Sequence, residues 1–344
     1  MDKILFFQPQ NDYTGSTRVL ANVIETEYAD KLVTIITLNK KSGFLSSLSN
    51  VCIIPLCYPT YKGKRLRFIS ALILQLHAWI LTFVHGLRYD TFYINTILPY
   101  YAAVVGRIYR KKIIYHIHEK FLDRSLLTRG VECIFNHTPA KRIFVSKYLM
   151  EQYPANWNCE SVIHYNKLPL SFLSKVKVKP IERRERKVVI MICSLSKVKG
   201  IFNYIEVAKK LPQFRFRLII SSDMTKINSF LSGTEIPANV ELIPTQADIH
   251  PYLASSDLLM NMSIPFLWVE TFGLTILEGM AYGLPAIVPN VGGPTEIVTD
   301  GYNGYCVEVT DVDVVARAVK SVMEEATYKR MVENALVRCK EICE

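Results

Sequence analysis

No Cys-x-x-Cys pair occurs among the eight cysteines of this 344-residue chain. Without such a pair a zinc site is not expected. Most of the cysteines sit in apolar runs, as in Val51-Cys52-Ile53-Ile54, and read as buried free thiols of a reducing cytosol. Gly-x-Gly-x-x-Gly is also missing, and with it the dinucleotide fingerprint. With 15 Gly and 16 Pro, low-complexity linkers are not expected. Aromatic and basic residues do not interleave, which argues against a nucleic-acid binder. Met1-Asp2-Lys3-Ile4-Leu5 runs straight into a strand, so no signal peptide is expected.

Half the residues are hydrophobic and 21% are charged, enough for a sizeable core and too apolar for long disorder. The net charge of +10 is unevenly spread. Residues 1–174 carry 21 basic and 11 acidic side chains, residues 175–187 carry 7 and 2, and residues 188–344 carry 13 and 18. A basic first half attracts phosphates, in an anionic bilayer or on a phosphorylated lipid. A solvated basic face that aids solubility is the plainer reading. Phe68 to Val84 is largely apolar and follows the basic run Lys62-Gly63-Lys64-Arg65-Leu66-Arg67. At 17 residues, with Gln75 and His77 inside, it falls short of a membrane span. It reads as a buried core helix, with an in-plane helix on an anionic membrane as the alternative.

Short runs rich in β-branched residues recur between longer helical stretches. In the first half they are Ile4–Gln8, Leu32–Leu38, Val51–Leu56, Thr91–Asn95, Ile113–His118, Ile143–Ser146 and Val162–Tyr165. In the second they are Val188–Leu195, Phe214–Ser221, Val240–Pro244, Leu258–Met262, Ala286–Pro289 and Tyr305–Val309. Continuous apolar strands alternating with helices predict parallel sheets covered on both faces. The expected architecture is α/β, with two Rossmann-like doubly wound parallel-sheet domains, 1–174 and 188–344, facing a cleft. The charged, Pro-containing segment 175–187 is the expected linker. Ligands of such sheets bind beyond the carboxyl ends of the strands.

Five segments there carry chemistry. In Val269-Glu270-Thr271-Phe272-Gly273-Leu274-Thr275-Ile276-Leu277-Glu278 a helix is expected from Leu274 to Tyr282, stopped by Gly283 and Pro285. Gly273 would let a ligand approach the backbone, and the N–H groups of Leu274, Thr275 and Ile276 would face an anion. Glu270 suits neutral hydroxyls, such as a sugar's, and Glu278 suits a ribose. The plainer alternative is one capping and one exposed glutamate. In Ser194-Leu195-Ser196-Lys197-Val198-Lys199-Gly200, Lys199 at a helix mouth is a diphosphate counter-charge or a surface lysine. Asn290-Val291-Gly292-Gly293-Pro294-Thr295-Glu296 opens another strand-to-helix turn, and Asn11-Asp12-Tyr13-Thr14-Gly15-Ser16-Thr17-Arg18 follows the first strand. At the end of another strand, His116 and His118 of Tyr115-His116-Ile117-His118-Glu119 share one face. One could bond a ligand hydroxyl, or both could be structural. No third metal ligand is evident, and Asp311-Val312-Asp313 lies far past these segments.

Glu270 to Glu278 matches the E-x7-E signature of the retaining glycosyltransferases of family 4, and nearly the whole chain resembles that family. The resemblance implies the GT-B fold, an acceptor-side first domain and a nucleotide-sugar-binding second domain. Ser196–Gly200 looks like the family's lysine-glycine loop, Gly292–Glu296 like its glycine-rich turn, and Gly15 like its N-terminal glycine loop. The resemblance implies that Glu270 contacts the donor sugar, with backbone contacts from Phe272, Gly273 and Leu274. It places Leu274, Thr275 and Lys199 on the diphosphate, Glu278 on the ribose, and His118 and Gly15 along the sugar. No cofactor and no divalent metal are implied. The family usually has Arg where Ser194 stands, so diphosphate neutralisation would rest on Lys199, helped by Lys197 or Arg18. A last helix is expected at about Val312–Arg338, and many relatives continue into one that crosses back to the first lobe.

The expected activity is retaining transfer of a hexose from a nucleotide-diphosphate donor to a glycan or lipid-pyrophosphate-linked acceptor, in building a surface polysaccharide such as lipopolysaccharide. The protein is expected to be cytoplasmic, peripheral on an anionic inner membrane face, and without a nucleic-acid partner. A GT-B sugar-nucleotide epimerase and a catalytically silent nucleotide-sugar-binding protein are the alternatives.

Overall fold

The computed structural model describes residues 3–38, 43–57, 64–120, 125–153, 159–178 and 187–344, without the side chains of 64–68 and 126. The chain divides into two compact units, Met1–Lys167 and Leu168–Glu344. Both are α/β and Rossmann-like, and each is built on one parallel sheet.

The first unit holds β1 (Ile4–Gln10), β2 (Val33–Leu38), β3 (Val51–Leu56), β4 (Thr91–Asn95), β5 (Lys112–Ile117), β6 (Lys141–Phe144) and β7 (Glu160–Ile163), in the order β3-β2-β1-β4-β5-β6-β7. The second holds β8 (Val188–Ser194), β9 (Arg215–Ser221), β10 (Val240–Ile243), β11 (Leu258–Met260), β12 (Ala286–Pro289) and β13 (Gly304–Val307), in the order β10-β9-β8-β11-β12-β13. Each of the thirteen expected apolar runs is a strand. In both sheets the order reverses at the first strand, between β1 and β4 and between β8 and β11. A crevice opens at the carboxyl end of such a reversal, because the chain leaves the two central strands toward opposite sides.

The sheet centres are dry. All five residues of β4 are buried, as are Leu5, Phe6 and Phe7 of β1. In the second unit the helix Ile201–Lys210 turns Ile201, Tyr204, Ile205 and Ala208 onto the sheet, at the 3–4 residue spacing of one helix face. Tyr204 keeps its hydroxyl in that core by sharing it between the carbonyls of Val189 (3.0 Å) and Arg217 (2.9 Å), on neighbouring strands. Asp257 Oδ2 accepts the backbone N–H groups of Lys187 and Val188 and so starts β8.

Three expectations need correction. The stretch around Phe68–Val84 is not a buried core helix. It lies in the 23-residue helix Lys64–Gly86, and only 22% of its apolar window Ile69–Gly86 is buried. By length and composition that window is also long enough to cross a membrane. The expected helix Val312–Arg338 is two helices, Val312–Met323 and Glu325–Cys343, separated by the extended backbone of Glu324 (ψ 136°). Asp311 caps the first, accepting from Asp313 N and Val314 N at 3.0 Å. The cysteines are free, but Cys339 alone is fully buried, and Cys52, Cys57 and Cys133 are exposed. Most of the expected 175–187 linker, residues 179–186, lies outside the described residues, as do Lys62 and Gly63 of the basic run.

Tyr204→Phe removes the hydroxyl's bonds to both strand carbonyls. It is expected to destabilise the second unit by about 1–2 kcal/mol in a denaturant titration. An unchanged midpoint would show that the hydroxyl does not tie β8 to β9.

Candidate functional site

In the second unit the candidate site grows from the segments that leave β8, β11 and β12. After β8, residues Lys197–Lys199 form one 3-10 turn and Gly200 turns left-handed (φ 69°) into the Ile201–Lys210 helix. A Cβ on Gly200 would sit 2.0 Å from the carbonyl oxygen of Met262. Only glycine lets this turn lie against the end of β11, where Ile264 N donates to Val198 O at 2.8 Å. That seam brings Lys199 to Glu270. Lys199 Nζ is 2.6 Å from Glu270 Oε2, and the two side chains are 21% and 18% exposed. Ser263 Oγ lies 3.4 Å from the same carboxylate oxygen, and Asn261 Oδ1 accepts Ser263 N.

The glycine pair after β12 fixes the backbone of Glu270. Gly293 N donates to Glu270 O at 2.9 Å. A Cβ on Gly292 would fall 2.5 Å from Glu270 O, and one on Gly293 would fall 2.0 Å from Thr271 O. The two turns therefore touch backbone to backbone. Beyond Glu270, Phe272 is buried, and Gly273 (φ 100°) opens the helix Leu274–Ala281 with half-buried Leu274 and Thr275. The N–H groups of Leu274 and Thr275 have no intrahelical partner at this position, as at any helix start. Ile276 differs from expectation, because its N–H donates to Gly273 O at 2.9 Å. Neither plainer reading of the glutamates holds. Glu270 pairs with Lys199 and does not cap the helix, and Glu278 is wholly buried. Ser194, at the end of β8, and Lys197 are both exposed. Burial pushes the neighbouring Cys193 thiol up to about 12, against the pull of Lys199.

The first unit carries a second polar cluster, at the carboxyl ends of β1, β4 and β5. His116 and His118 do share a face, with ring centroids 4.3 Å apart. Both are tied to protein groups. His116 Nδ1 lies 2.9 Å from Tyr93 Oη, and His118 Nε2 lies 2.7 Å from Asn95 Oδ1. Asn95 Nδ2 donates to Gln8 Oε1, Gln8 Nε2 to Thr17 Oγ1, and Thr17 Oγ1 to Asp12 Oδ1. Since Asn95 offers His118 an oxygen, Nε2 of His118 carries the proton. Burial pulls His118 down to about 3 and His116 well below the ordinary histidine value, so both rings are neutral. Gly15 opens the helix Gly15–Glu27, and a Cβ there would meet nothing within 4 Å. Packing does not demand glycine at that position.

Sequence reasoning missed Ser263, Asn261, Gln8, Asn95 and Thr17. Asn95 and Asn261 stand at or just past strand ends beside the order reversals, a signal that could have found them. Among the described residues, no three His, Cys, Asp or Glu side chains are grouped to hold a metal ion.

Residues 174–338 match the family described as glycosyl transferases group 1. An N-acetyl-alpha-D-glucosaminyl L-malate synthase of Bacillus anthracis is 31% identical over 154 residues, 43% of this chain and 39% of that protein. The UDP-Gal:alpha-D-GlcNAc-diphosphoundecaprenol alpha-1,3-galactosyltransferase of Escherichia coli is 32% identical over 93 residues, 27% of this chain and 23% of that protein. The matches thus span well under half of either relative. The crystal structure of Anabaena HepE with UDP and glucose superposes with a TM-score of 0.80 over 99% of this chain and 95% of that one, at 20% identity. That likeness speaks for the GT-B fold.

Two neutral, buried histidines make the first unit sensitive to acid. The unfolded chain takes up their protons below about pH 6.5, whereas in the folded chain burial holds His118 down to about 3 and His116 well below its ordinary value. Their contribution is complete above pH 6.5 and declines as pH falls. The melting temperature should drop between pH 7 and 4.5, and His116→Phe should flatten that drop. An identical slope in the variant would contradict the assignment.

Proposed function

We propose that this chain, whose residues 174–338 match the glycosyl transferases group 1 family, moves a hexose from a nucleoside-diphosphate donor to a glycan or lipid-pyrophosphate-linked acceptor, with retention. The observation that carries the reading is the Lys199–Glu270 pair at the β8–β11 reversal, beside the start of the Leu274–Ala281 helix. A cation and a helix N-terminus suit a diphosphate, and a carboxylate suits sugar hydroxyls.

In this reading the donor opens the ion pair. Lys199 turns to the diphosphate, together with the N–H groups of Leu274 and Thr275. Glu270 accepts hydrogen bonds from the sugar, whose backbone contacts come from Phe272, Gly273 and Leu274. Glu278 takes the ribose hydroxyls, and Ser194 and Lys197 border the phosphates. In the first unit His118 and Gly15 serve the hydroxyls of the sugar. The C1–oxygen bond to the β-phosphate breaks, and the negative charge left on that phosphate is stabilised by preorganised dipoles and Lys199. The acceptor hydroxyl forms the new bond on the same face of the sugar, and its proton passes to the departing phosphate. No step needs a metal ion. The relative from Escherichia coli acts, by its name, on a diphosphoundecaprenol-linked sugar, which supports a lipid-linked acceptor and a place at the inner membrane face in surface polysaccharide assembly.

A thermal-shift panel of UDP, GDP, ADP, dTDP and CMP tests the donor site. One nucleoside diphosphate at ~100 times its dissociation constant should add about 2.7 kcal/mol. Glu278→Ala should remove that shift. Donor turnover without acceptor would instead mark an epimerase; no shift with any nucleotide would mean either that the acceptor binds first or that the chain is a silent protein that binds a partner. Glu270→Ala and Lys199→Ala should each lower transfer by about 10²–10³-fold, the loss seen when one preorganised charge contact is removed. Wild-type turnover in either variant would sink the reading.

A further inference from the structure

The helix Lys64–Gly86 is amphipathic in the wrong sense for a soluble domain. Its inward face carries the small buried residues Ser70, Ala78, Thr82 and Gly86, with half-buried Leu74 and Leu81 among them. A Cβ on Gly86 would meet Phe92 Cζ at 2.7 Å, so the helix lies close on the sheet of the first unit. Its outward strip is Ile69, Leu72, Ile73, Leu76, Ile80 and Val84, each between 38% and 62% exposed. Spacings of three and four residues make these one stripe, and Leu87 (64% exposed) continues it past the helix end. Surface helices turn aliphatic side chains inward, and a contiguous exposed apolar stripe of this length marks an interaction surface.

We propose that this stripe is a membrane-docking surface. It seats the first unit in the plane of an anionic lipid monolayer. The proposal rests on, and deepens, the reading of a lipid-linked acceptor.

Charge selects the occupant. From Lys62 to Tyr89 the sequence holds five Lys or Arg and no Asp or Glu. In sequence Lys64, Arg65 and Arg67 belong to the first turn of the helix, and Arg88 follows its end. Lys111 also reaches that end, with Nζ 3.3 Å from Leu87 O. An apolar stripe between two cationic ends complements acyl chains bordered by anionic headgroups. A second copy of the same face would bring five Lys or Arg against one nearby carboxylate, Asp90, which already accepts Lys3 N. The helix lies on the bilayer and does not span it, because one face is already engaged. Tyr109 Oη donates to Phe83 O at 3.1 Å, and Trp79 packs against Phe83 and Tyr100. Half-buried Trp79 at the flank of the stripe also suits the headgroup level, where aromatic rings with a polar edge collect.

The test is flotation of the full chain with vesicles of phosphatidylcholine alone and of phosphatidylcholine with about a third phosphatidylglycerol. Wild type is expected to float with the anionic vesicles, more weakly as salt rises. The triple variant Leu72→Ser, Leu76→Ser, Ile80→Ser should lose at least about tenfold in partitioning, since it removes apolar area and no charge. Arg65→Gln with Arg67→Gln should lose about fivefold per charge on anionic vesicles only. All three serine sites are exposed, so the melting temperature and its shift by a nucleoside diphosphate should be unchanged, which separates this proposal from the donor reading. Failure of the wild type to float, or undiminished flotation of the triple variant, overturns the proposal. So does a wild-type dimer in sedimentation equilibrium that Leu76→Glu dissociates without changing flotation.

Discussion

A sheet of parallel strands covered by helices has almost no place for a polar side chain except where its strands stop. Both units obey that constraint. The five residues of β4 are buried, and so is the centre of β8 from Val189 to Met191. Polar groups collect instead at the carboxyl ends, in greatest number beside the strand-order reversals. Lys199 and Glu270 stand 71 residues apart in the chain, and Gln8 and Asn95 stand 87 apart, yet each pair is in hydrogen-bond contact. The geometry that dries the sheets also assembles the candidate site.

Assembly there depends on backbone approaching backbone. Gly200 lies against Met262, and Gly292 with Gly293 lies against Glu270 and Thr271. The nearest atom in each case belongs to the backbone, so no larger residue can substitute without moving the segment that bears Glu270 or Lys199. The ion pair sits on this rigid support. At about one-fifth exposure it is partly screened by water, so its net worth to folding is modest. Opening it in exchange for phosphate and hydroxyl contacts is therefore inexpensive, while the backbone beneath stays in place. The first unit is stiffened differently. A chain of hydrogen bonds runs from Asp12 through Thr17, Gln8 and Asn95 to His118, and it sets which nitrogen of that ring carries the proton.

The strands, their parallel pairing and the two-unit plan were legible in the sequence, because buried strands between helices leave β-branched runs of recognisable length. The loops after β8 and β12 were legible as glycine turns at strand ends. Their purpose was not, because a close approach involves a second segment that spacing along the chain does not reveal. Gly292 and Gly293 support Glu270 as well as opening a turn. The chain of side chains around His118 was hidden for the same reason, since its members come from three strands and one helix. The break at Glu324 has no proline or glycine to announce it. The cysteines misled in another way. Cys52 lies in an apolar run, but β3 is the edge strand of its sheet, and the residue is exposed.

The Lys64–Gly86 helix shows where an average over residues fails. Mean hydropathy of 1.5 over Ile69–Gly86 says how apolar the segment is, not which side of it meets the sheet. A helix that packs closely on a sheet needs small residues at the contact, and here they are Ser70, Ala78, Thr82 and Gly86. With these on the inner face beside half-buried Leu74 and Leu81, the other aliphatic side chains of the helix lie on the outer face. Their exposure follows from the closeness of the packing beneath them. The burial reading of Phe68–Val84 took apolar composition as a sign of the core, but small size, at a spacing of four and eight residues, was the feature that pointed inward.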